Sequence, residues 1–319
     1  MNDRWILVVV MLSCVIGMAA CAPGSTEPES LPAVASVGLM DAYFGQDLPG
    51  TDPVVFAPGV VNTENRGGFG FVFTEAGDEV YFTMYDPTSE KPGGIGWMRI
   101  VEGEWSKPEM LPFNSPAYDN DATVSLDGRT IVFRSWRPLP DGTEPDNHSW
   151  LWIARRGEDR WASAEPLLCG GEPVRTGFPS MTRDGSLYFA HRRDDVVGIY
   201  RSRPVEGEYA TPELVAATDP PGASPGDLFV DRDERFVIVS ISHHPGNVDP
   251  EQGDLYVIQR LDDGNWSEAE RLGPDINTVV HENCPQVTPD GRFFIFNRYD
   301  HETERGESYW LDSGAIPLP

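Results

Sequence analysis

Carboxylates lie at the ends of short apolar segments in this chain, where a shared channel could collect them. The four candidates are Asp119, Asp121, Asp227 and Glu282. Two carboxyl groups about 5–10 Å apart, one of them with a raised pKa, could cleave a glycosidic bond by acid–base chemistry. The alternative is structural, because each carboxylate could instead pair with an arginine and brace the fold. Arginines recur in several of the same segments, which favours the structural interpretation.

The same segments also supply aromatic and cationic side chains that could bind a ligand. Aromatic rings would stack on apolar surfaces, and arginines would hold carboxylates in forked pairs. A sugar, a peptide terminus or another protein would suit such a surface. The predicted ligand-binding residues are Asp119, Asp121, Trp136, Arg137, Arg193, Asp227, His243, Glu282, Arg298 and Tyr299.

Metal and cofactor chemistry has little support in the sequence. His243 and His244 interrupt the repeat pattern, but adjacent side chains on an extended strand point in opposite directions, so at most one could ligate a metal. No H-E-x-x-H motif and no phosphate-binding glycine loop with a lysine occur. We therefore assign no catalytic residue, no metal ligand and no cofactor, and expect a non-enzymatic protein.

Five similar stretches recur along the chain and must position these side chains. Each has two apolar alternating runs around a polar turn, and the stretches cover residues 71–86, 122–137, 179–193, 228–242 and 285–300. The turn residues Gly77, Gly128, Gly185, Glu234 and Gly291 are spaced by 51, 57, 49 and 57 residues. Glycine at such a turn permits positive φ and predicts a hairpin. Glu234 predicts a turn of another type in the fourth copy.

A second element follows four of the hairpins and completes a four-stranded unit. It holds an alternating strand, an acidic or glycine turn, an aromatic residue and an outer strand, as in residues 94–112, 149–168, 197–215 and 253–273. Units of this length are typical of propeller blades. We therefore predict an all-β fold, a five-bladed β-propeller over residues 52–319, with six blades as the alternative. The last copy lacks its outer strand, and residues 52–61 are expected to supply it and close the ring.

The last full period, residues 253–298, resembles the TolB-type, WD-repeat-like propellers of bacterial envelopes. The motifs that carry the resemblance are Asp254-Leu255-Tyr256, Trp266-Ser267-Glu268, Leu272-Gly273, Ile276-Asn277, Pro285 and Thr288-Pro289-Asp290-Gly291. The resemblance covers most of residues 52–319, more loosely outside this period. It implies a propeller fold, although many members have six blades. It does not imply one function, because the family includes scaffolds, peptidoglycan-linked proteins and peptidase-associated propellers.

The N-terminus predicts an exported protein that is anchored by lipid. Arg4 precedes an apolar run that is too short to span a bilayer, and "GMAAC" resembles a bacterial lipobox ending at Cys21. Residues 1–20 are then a signal peptide and residues 21–51 a flexible tether after a lipidated Cys21. Ala22 after the cysteine favours an outer-membrane lipoprotein that faces the periplasm or the cell surface. An ordinary signal peptide with an incidental cysteine is the alternative.

Composition narrows the set of partners. The formal net charge is −27, so phosphate backbones are repelled and nucleic-acid binding is not expected. An envelope protein, a glycan or a peptide remains as partner, with the lipid anchor as the membrane contact, and a monomer is expected. In the repeat pattern Cys169 and Cys284 lie two blades apart, which predicts two buried thiols and no disulfide. Two functions remain: a binding module, or a glycosidase-like enzyme that uses the channel carboxylates.

Overall fold

The structure, a computed structural model, describes residues 43–63, 67–85, 93–145, 148–158, 160–218 and 220–319. The predicted signal peptide, Cys21 and nearly all of the predicted tether lie outside the described residues. The first described strand is β1 (Val54–Val55). The remaining strands are grouped by sheet, and the sheets built from long strands are called repeat sheets 1 to 5.

Repeat sheets 1 and 2 follow β1 in the chain. Repeat sheet 1 contains β2 (Gly67–Phe73), β3 (Glu79–Tyr85), β4 (Gly93–Val101), β5 (Glu104–Trp105) and β6 (Glu109–Met110). Repeat sheet 2 contains β7 (Asp119–Val124), β8 (Thr130–Ser135), β9 (Trp150–Arg155) and β10 (Glu165–Pro166). Each is an antiparallel meander that runs outward from its first strand.

Two sheets interleave in the next part of the chain. A short-strand sheet contains β11 (Leu168–Cys169), β12 (Glu172–Pro173), β16 (Pro204–Val205) and β17 (Glu208–Tyr209). Repeat sheet 3 contains β13 (Ser180–Met181), β14 (Leu187–Arg193), β15 (Val196–Ser202) and β18 (Glu213–Ala217). The short-strand sheet therefore joins a hairpin that follows repeat sheet 2 to one inside repeat sheet 3.

The last two sheets complete the ring. Repeat sheet 4 contains β19 (Ser224–Val230), β20 (Phe236–Ser242), β21 (Asp254–Gln259) and β22 (Glu270–Arg271). Repeat sheet 5 contains β23 (His281–Val287), β24 (Phe293–Asp300), β25 (Arg305–Asp312) and β1. The strand β1 pairs antiparallel with β25, with Val54 opposite Trp310. The prediction that an N-terminal strand completes the last sheet is confirmed, and this pairing covers an edge that would otherwise be open.

The all-β propeller with four-stranded units is as predicted, but the count of five is wrong. The described residues form six sheets, because the short-strand sheet adds one to the five repeat sheets. Each of its strands has two residues. Strands this short show no alternating pattern, so sequence periodicity could not reveal them.

The core lies between neighbouring repeat sheets. Five hydrophobic clusters are present among the described residues, and each joins two consecutive repeat sheets. In the cluster that closes the ring, Phe71 and Phe82 of repeat sheet 1 pack with Phe293 and Trp310 of repeat sheet 5. The strands are thus buried on both faces, which explains near-continuous apolar runs such as β20.

The hairpin turns are more uniform than the sequence suggests. Gly77, Gly128, Gly185 and Gly291 have φ values of 64–83°. Glu234 has φ of 57° and donates its backbone N–H to the carbonyl of Asp231, the bond that each glycine makes in its own turn. The predicted change of turn type is therefore wrong. The carboxylate of Glu234 accepts from the Tyr188 hydroxyl at 2.7 Å and from Arg201, and these contacts help to hold the strained backbone.

Candidate binding site at the channel mouth

The two ends of the ring differ in their chemistry. The turn end carries the five hairpin turns, and the mouth end is where β2, β7, β19 and β23 begin. Each of these four strands has a register shift near its start, located between Phe69 and Val72 in β2 and between Asn120 and Thr123 in β7. A bulge re-aims the side chains beside it. Here it turns one residue of each strand toward the ring axis.

Each of the five repeat sheets places one residue at the axis, four of them through a side chain and repeat sheet 1 through the backbone of Gly70. A Cβ placed on Gly70 would lie 3.2 Å from the Phe178 ring and 3.9 Å from Asp121 Oδ1, so repeat sheets 1, 2 and 3 meet there. Cys284 Sγ donates to Asp227 Oδ2 at 3.2 Å, which links repeat sheets 5 and 4. These five residues are called the axial cluster. Phe178 is one of the large, fully buried side chains of the protein.

Arg232 closes the turn end of the axis. Its Nη1 donates to the carbonyls of Val124 and Met181 at 3.2 and 3.0 Å, and its Nη2 lies 3.5 Å from the carbonyl of Phe73. One side chain from repeat sheet 4 thus reaches repeat sheets 1, 2 and 3. Burial lowers the pKa of Arg232, and the negative charge of Glu75 opposes that effect. The axis is therefore closed at this end, and a ligand would approach from the mouth.

Asp121 is the most perturbed carboxylate near the axis. It is 2% exposed; its Oδ2 accepts from Arg134 Nη1 at 2.6 Å and from Asn120 at 2.8 Å. Among the described residues, its Oδ1 has no hydrogen-bond partner. Burial raises the pKa of Asp121 to about 7; Arg134 opposes this, and the charge of Asp227 adds to it. A fraction of Asp121 is therefore protonated near neutral pH.

Asp119 and Glu282 take part in one bracing arrangement that occurs twice. Asp119 lies 2.8 Å from Arg137, whose guanidinium stacks 4.6 Å from the Trp152 ring. Glu282 lies 3.6 Å from Arg298, whose guanidinium stacks 4.7 Å from the Tyr309 ring.

Each of these carboxylates also accepts from a hydroxyl four residues earlier in the chain, Ser115 for Asp119 and Thr278 for Glu282. Burial raises the pKa of Glu282 to about 7, while Thr278 and Arg298 oppose that effect. Because the whole arrangement recurs in repeat sheets 2 and 5, we infer that these carboxylates stabilise the fold and do not form a unique binding site.

The remaining predicted residues are spread over the mouth end. Trp136 lies under the Arg134 guanidinium at 4.8 Å and beside the Tyr118 ring at 5.6 Å. Arg193 is exposed and donates to the carbonyl of Pro212. His243 is largely exposed, 3.7 Å from Glu251. The structure therefore brings Asp121 and Asp227 into the axial cluster, and leaves Trp136, Arg193 and His243 outside that group.

Tyr299 lines a separate pocket, the tyrosine–asparagine pocket, between repeat sheets 1 and 5. The cavity has a volume of about 640 Å³. Its aromatic and amide lining residues are Phe69, Tyr85, Tyr118, Tyr299, Asn283 and Asn297. Asn297 Nδ2 donates to Asn283 Oδ1 at 2.9 Å, which fixes both amides. Among the described residues, the only charged group in this lining is Glu304.

Phe69, Tyr118, Asn283 and Asn297 are not among the residues predicted to bind a ligand. Tyr118, Asn283 and Asn297 stand next to the predicted residues Asp119, Glu282 and Arg298, and Phe69 lies in the segment that begins the first hairpin. An amide or aromatic residue beside each predicted charge was the available signal. Which of two neighbours faces the pocket depends on the bulges, and periodicity does not locate those.

A G-x-S-x-G spacing is present at Gly222–Gly226, but its structural context does not support a nucleophile. Ser224 begins β19 and pairs with Ser242 of β20, so the segment runs strand to strand. The hydrolase motif requires a sharp strand-to-helix turn. In the part of the chain that the structure describes, Ser224 makes no hydrogen bond to a histidine side chain.

Cys169 and Cys284 are both free and buried, as predicted. Burial raises the pKa of both thiols, and the nearby Asp227 raises that of Cys284 further. Among the described residues, no group of three or more His, Cys, Asp or Glu side chains could hold a metal ion. Likewise, none of the helices in those ranges is long and apolar enough to cross a membrane.

Comparison with known proteins identifies the fold. No protein-family profile matches the chain, and no curated protein matches it. Among solved structures, a protein assigned as TolB from Agrobacterium tumefaciens matches with 16% identity over 82% of each chain and a TM-score of 0.50. A glycoside hydrolase matches with 10% identity and a TM-score of 0.54, over 83% of this chain and 92% of that one.

A third similar structure is a gluconolactonase from Xanthomonas campestris. It matches with 14% identity and a TM-score of 0.46, over 79% of this chain and 72% of that one. At such identities the likeness shows the fold alone. The resemblance to TolB-type propellers is therefore confirmed at the level of the fold.

Proposed function

We propose that this protein is a non-catalytic binding module of the bacterial cell envelope, which binds a polyhydroxylated, sugar-like ligand at the channel mouth. The observation that supports this most directly is the state of the channel carboxylates. Asp119, Asp121 and Glu282 each lie in a salt bridge with an arginine. The fourth, Asp227, accepts from the Cys284 thiol. An acid–base pair needs carboxyl groups that are free to reach a substrate.

The tyrosine–asparagine pocket supplies the binding chemistry. Aromatic rings cover the apolar face of a sugar ring, and amides both donate to and accept from its hydroxyls. The bond between Asn297 and Asn283 fixes the orientation of these amides before the ligand arrives. A fixed site loses less conformational entropy on binding. The near absence of charge in the described lining favours a neutral ligand part here.

The envelope location rests on the N-terminal sequence and on the fold. From the predicted signal peptide and the lipobox-like segment before Cys21, we propose an outer-membrane lipoprotein. Residues 21–51 would tether its propeller to the membrane. The TolB-assigned structure from Agrobacterium tumefaciens has the same fold, which fits an envelope role. We propose that the protein acts as a monomer on its tether.

A glycan array probed with residues 43–319 tests this proposal, followed by calorimetry with the oligosaccharide that binds. Tyr299→Ala should weaken binding at least tenfold, because it removes an aromatic face of the pocket. Leu261→Ala is the matched control, since Leu261 is an exposed apolar residue that follows β21 near the turn end. The absence of any glycan ligand, or equal binding by the two variants, would contradict the proposal.

The second candidate is a glycosidase, and one observation favours it. Asp121 has a pKa of about 7, and the charge of Asp227 helps to raise it, so Asp121 could act as a general acid beside a second carboxyl group. Turnover of a glycan that is abolished by Asp227→Asn and by Asp121→Asn would establish this alternative. Binding without turnover, retained in Asp227→Asn, would exclude it for that glycan.

A further inference from the structure

The tyrosine–asparagine pocket is lined by four aromatic side chains that come from different parts of the propeller. Phe69 lies on β2, Tyr85 on β3 and Tyr299 on β24, while Tyr118 directly precedes β7. Among the described residues, none of these four aromatic rings packs against another of the four. The cavity therefore separates them, and a ligand that enters it meets several aromatic walls.

Several polar groups of this lining have no partner within the protein. Asn297 is 5% exposed, and its Nδ2 donates to Asn283 Oδ1. Among the described residues, Asn297 Oδ1 accepts no hydrogen bond, and the hydroxyls of the three lining tyrosines make none. Buried acceptors and tyrosine hydroxyls usually have a partner. A ligand with N–H or O–H donors would supply one, and Asn283 Nδ2 could donate to it in return.

Gly306 gives the Asn297 amide its place in the pocket. It lies on β25 opposite Tyr299 of β24 and also lines the cavity. A Cβ placed on Gly306 would lie 3.3 Å from both Nδ2 and Oδ1 of Asn297 and 3.2 Å from Tyr299 Cδ2. A larger residue would therefore displace the amide or the aromatic ring. The hairpin of β24 and β25 thus holds a buried acceptor and an aromatic wall in one arrangement.

The charge near this pocket favours a cation. Glu304, in the turn between β24 and β25, is the only charged lining residue described; it is exposed and makes no ion pair or hydrogen bond with any residue that the structure describes. Burial raises the pKa of Tyr118, and the nearby Asp121 carboxylate raises it further, while Arg134 opposes both effects. The formal net charge of the chain is −27. A ligand with a positive group is therefore attracted to this pocket.

We propose that the sugar-like ligand carries a protonated amino group, which binds at the Glu304 side of the tyrosine–asparagine pocket. An ammonium group has three N–H donors, which suit the Glu304 carboxylate, the Asn297 oxygen and the tyrosine hydroxyls. Its charge is also attracted by the faces of aromatic rings. The uncharged sugar ring would lie against the neutral part of the lining. This inference rests on the proposed function and narrows its ligand class to amino sugars.

Calorimetric titration of the full-length protein with three methyl glycosides tests this inference. Methyl glucosaminide, methyl N-acetylglucosaminide and methyl glucoside share one sugar ring and differ in one substituent, which is an ammonium, an acetamido or a hydroxyl group. At pH 6 and constant ionic strength, the ammonium form should bind saturably in the millimolar range, at least fivefold more tightly than the other two.

Two variants locate the charge that is responsible. Glu304→Gln should reduce the preference for the ammonium form at least threefold. Glu302→Gln, the control, removes the same charge from an exposed residue of the same turn that does not line the pocket, and should keep the preference. Since both glutamates are exposed, both variants should keep the wild-type melting temperature.

Three outcomes would overturn the inference. They are no saturable binding of methyl glucosaminide, equal binding of the three glycosides, and a preference that is the same in the Glu304 and Glu302 variants. Equal binding of the three glycosides would leave the proposed function standing, because the pocket would then bind sugars without regard to their charge. The absence of any ligand on the glycan array, together with no binding of the three glycosides, would overturn both.

Discussion

Replacing Asp121 by asparagine should change how the stability of the protein depends on pH. The folded-state pKa of Asp121 is about 7, above its ordinary value of 3.8, because burial disfavours the charged form. Between pH 3.8 and pH 7, the folded state therefore holds a proton that the unfolded state has released. Stability from this group is fully present below pH 3.8 and is lost as the pH rises toward 7.

The magnitude follows from the two pKa values. A difference of about three corresponds to at most about 4 kcal/mol, since each pKa unit is worth about 1.4 kcal/mol. Part of this loss has already occurred at pH 5. Linkage therefore gives a loss of about 2–3 kcal/mol between pH 5 and pH 8 for the wild type. Asparagine does not titrate, so Asp121→Asn should lack this loss.

Urea unfolding followed by tryptophan fluorescence at pH 5, 6, 7 and 8 measures the effect. The free energy of unfolding of Asp121→Asn, relative to wild type, should rise by about 2–3 kcal/mol from pH 5 to pH 8. Asp263→Asn is the control, because hydrogen bonds from Asn265 lower the pKa of this exposed carboxyl, so it is ionised throughout the range. A difference that stays constant with pH, or falls as the pH rises, would refute the reasoning about Asp121.

Three further predictions concern the packing of the ring. Gly70→Ala should lower the free energy of unfolding by about 1–2 kcal/mol in urea, because φ is +65° and the new Cβ would crowd Phe178; an unchanged midpoint would contradict the axial packing. Phe56→Ala should lower the free energy of unfolding by about 3–5 kcal/mol in the same assay, because the buried Phe56 side chain packs 5.3 Å from the Trp310 ring where β1 closes the propeller. A loss below about 1 kcal/mol would contradict closure of the propeller at this contact. Arg232→Met should lower the melting temperature in scanning calorimetry, since it leaves buried carbonyls without a donor. A higher melting temperature would contradict the stabilising role given to the Arg232 hydrogen bonds.

The ring and its closure could be predicted from the sequence because they depend on local patterns. Alternating apolar residues and turns such as Gly77 are strong signals, and the unpaired strand at residues 52–61 follows from the incomplete last repeat. The short-strand sheet and the turn at Glu234 could not be predicted. Two-residue strands have no period, and the backbone of Glu234 is held by Tyr188 and Arg201, which are distant in sequence.

The candidate site was predicted only as a set of segments. Asp119 and Asp121 are two residues apart and would share a face on a regular strand. The bulge in β7 separates them, so that Asp119 meets Arg137 while Asp121 faces the axis. The same effect in β23 separates Glu282 from Cys284. Bulge positions depend on pairing with the neighbouring strand, which a single sequence does not specify.

The most direct test of the central claim is the fate of the oligosaccharide that the glycan array identifies. The oligosaccharide is incubated with the protein for a day and recovered, and its mass is then measured by mass spectrometry. The Tyr299→Ala and Asp227→Asn variants are treated in the same way. We predict that it is recovered intact from every sample, and that it binds to wild type and Asp227→Asn but not to Tyr299→Ala. Cleavage by the wild type that Asp227→Asn abolishes would contradict the account.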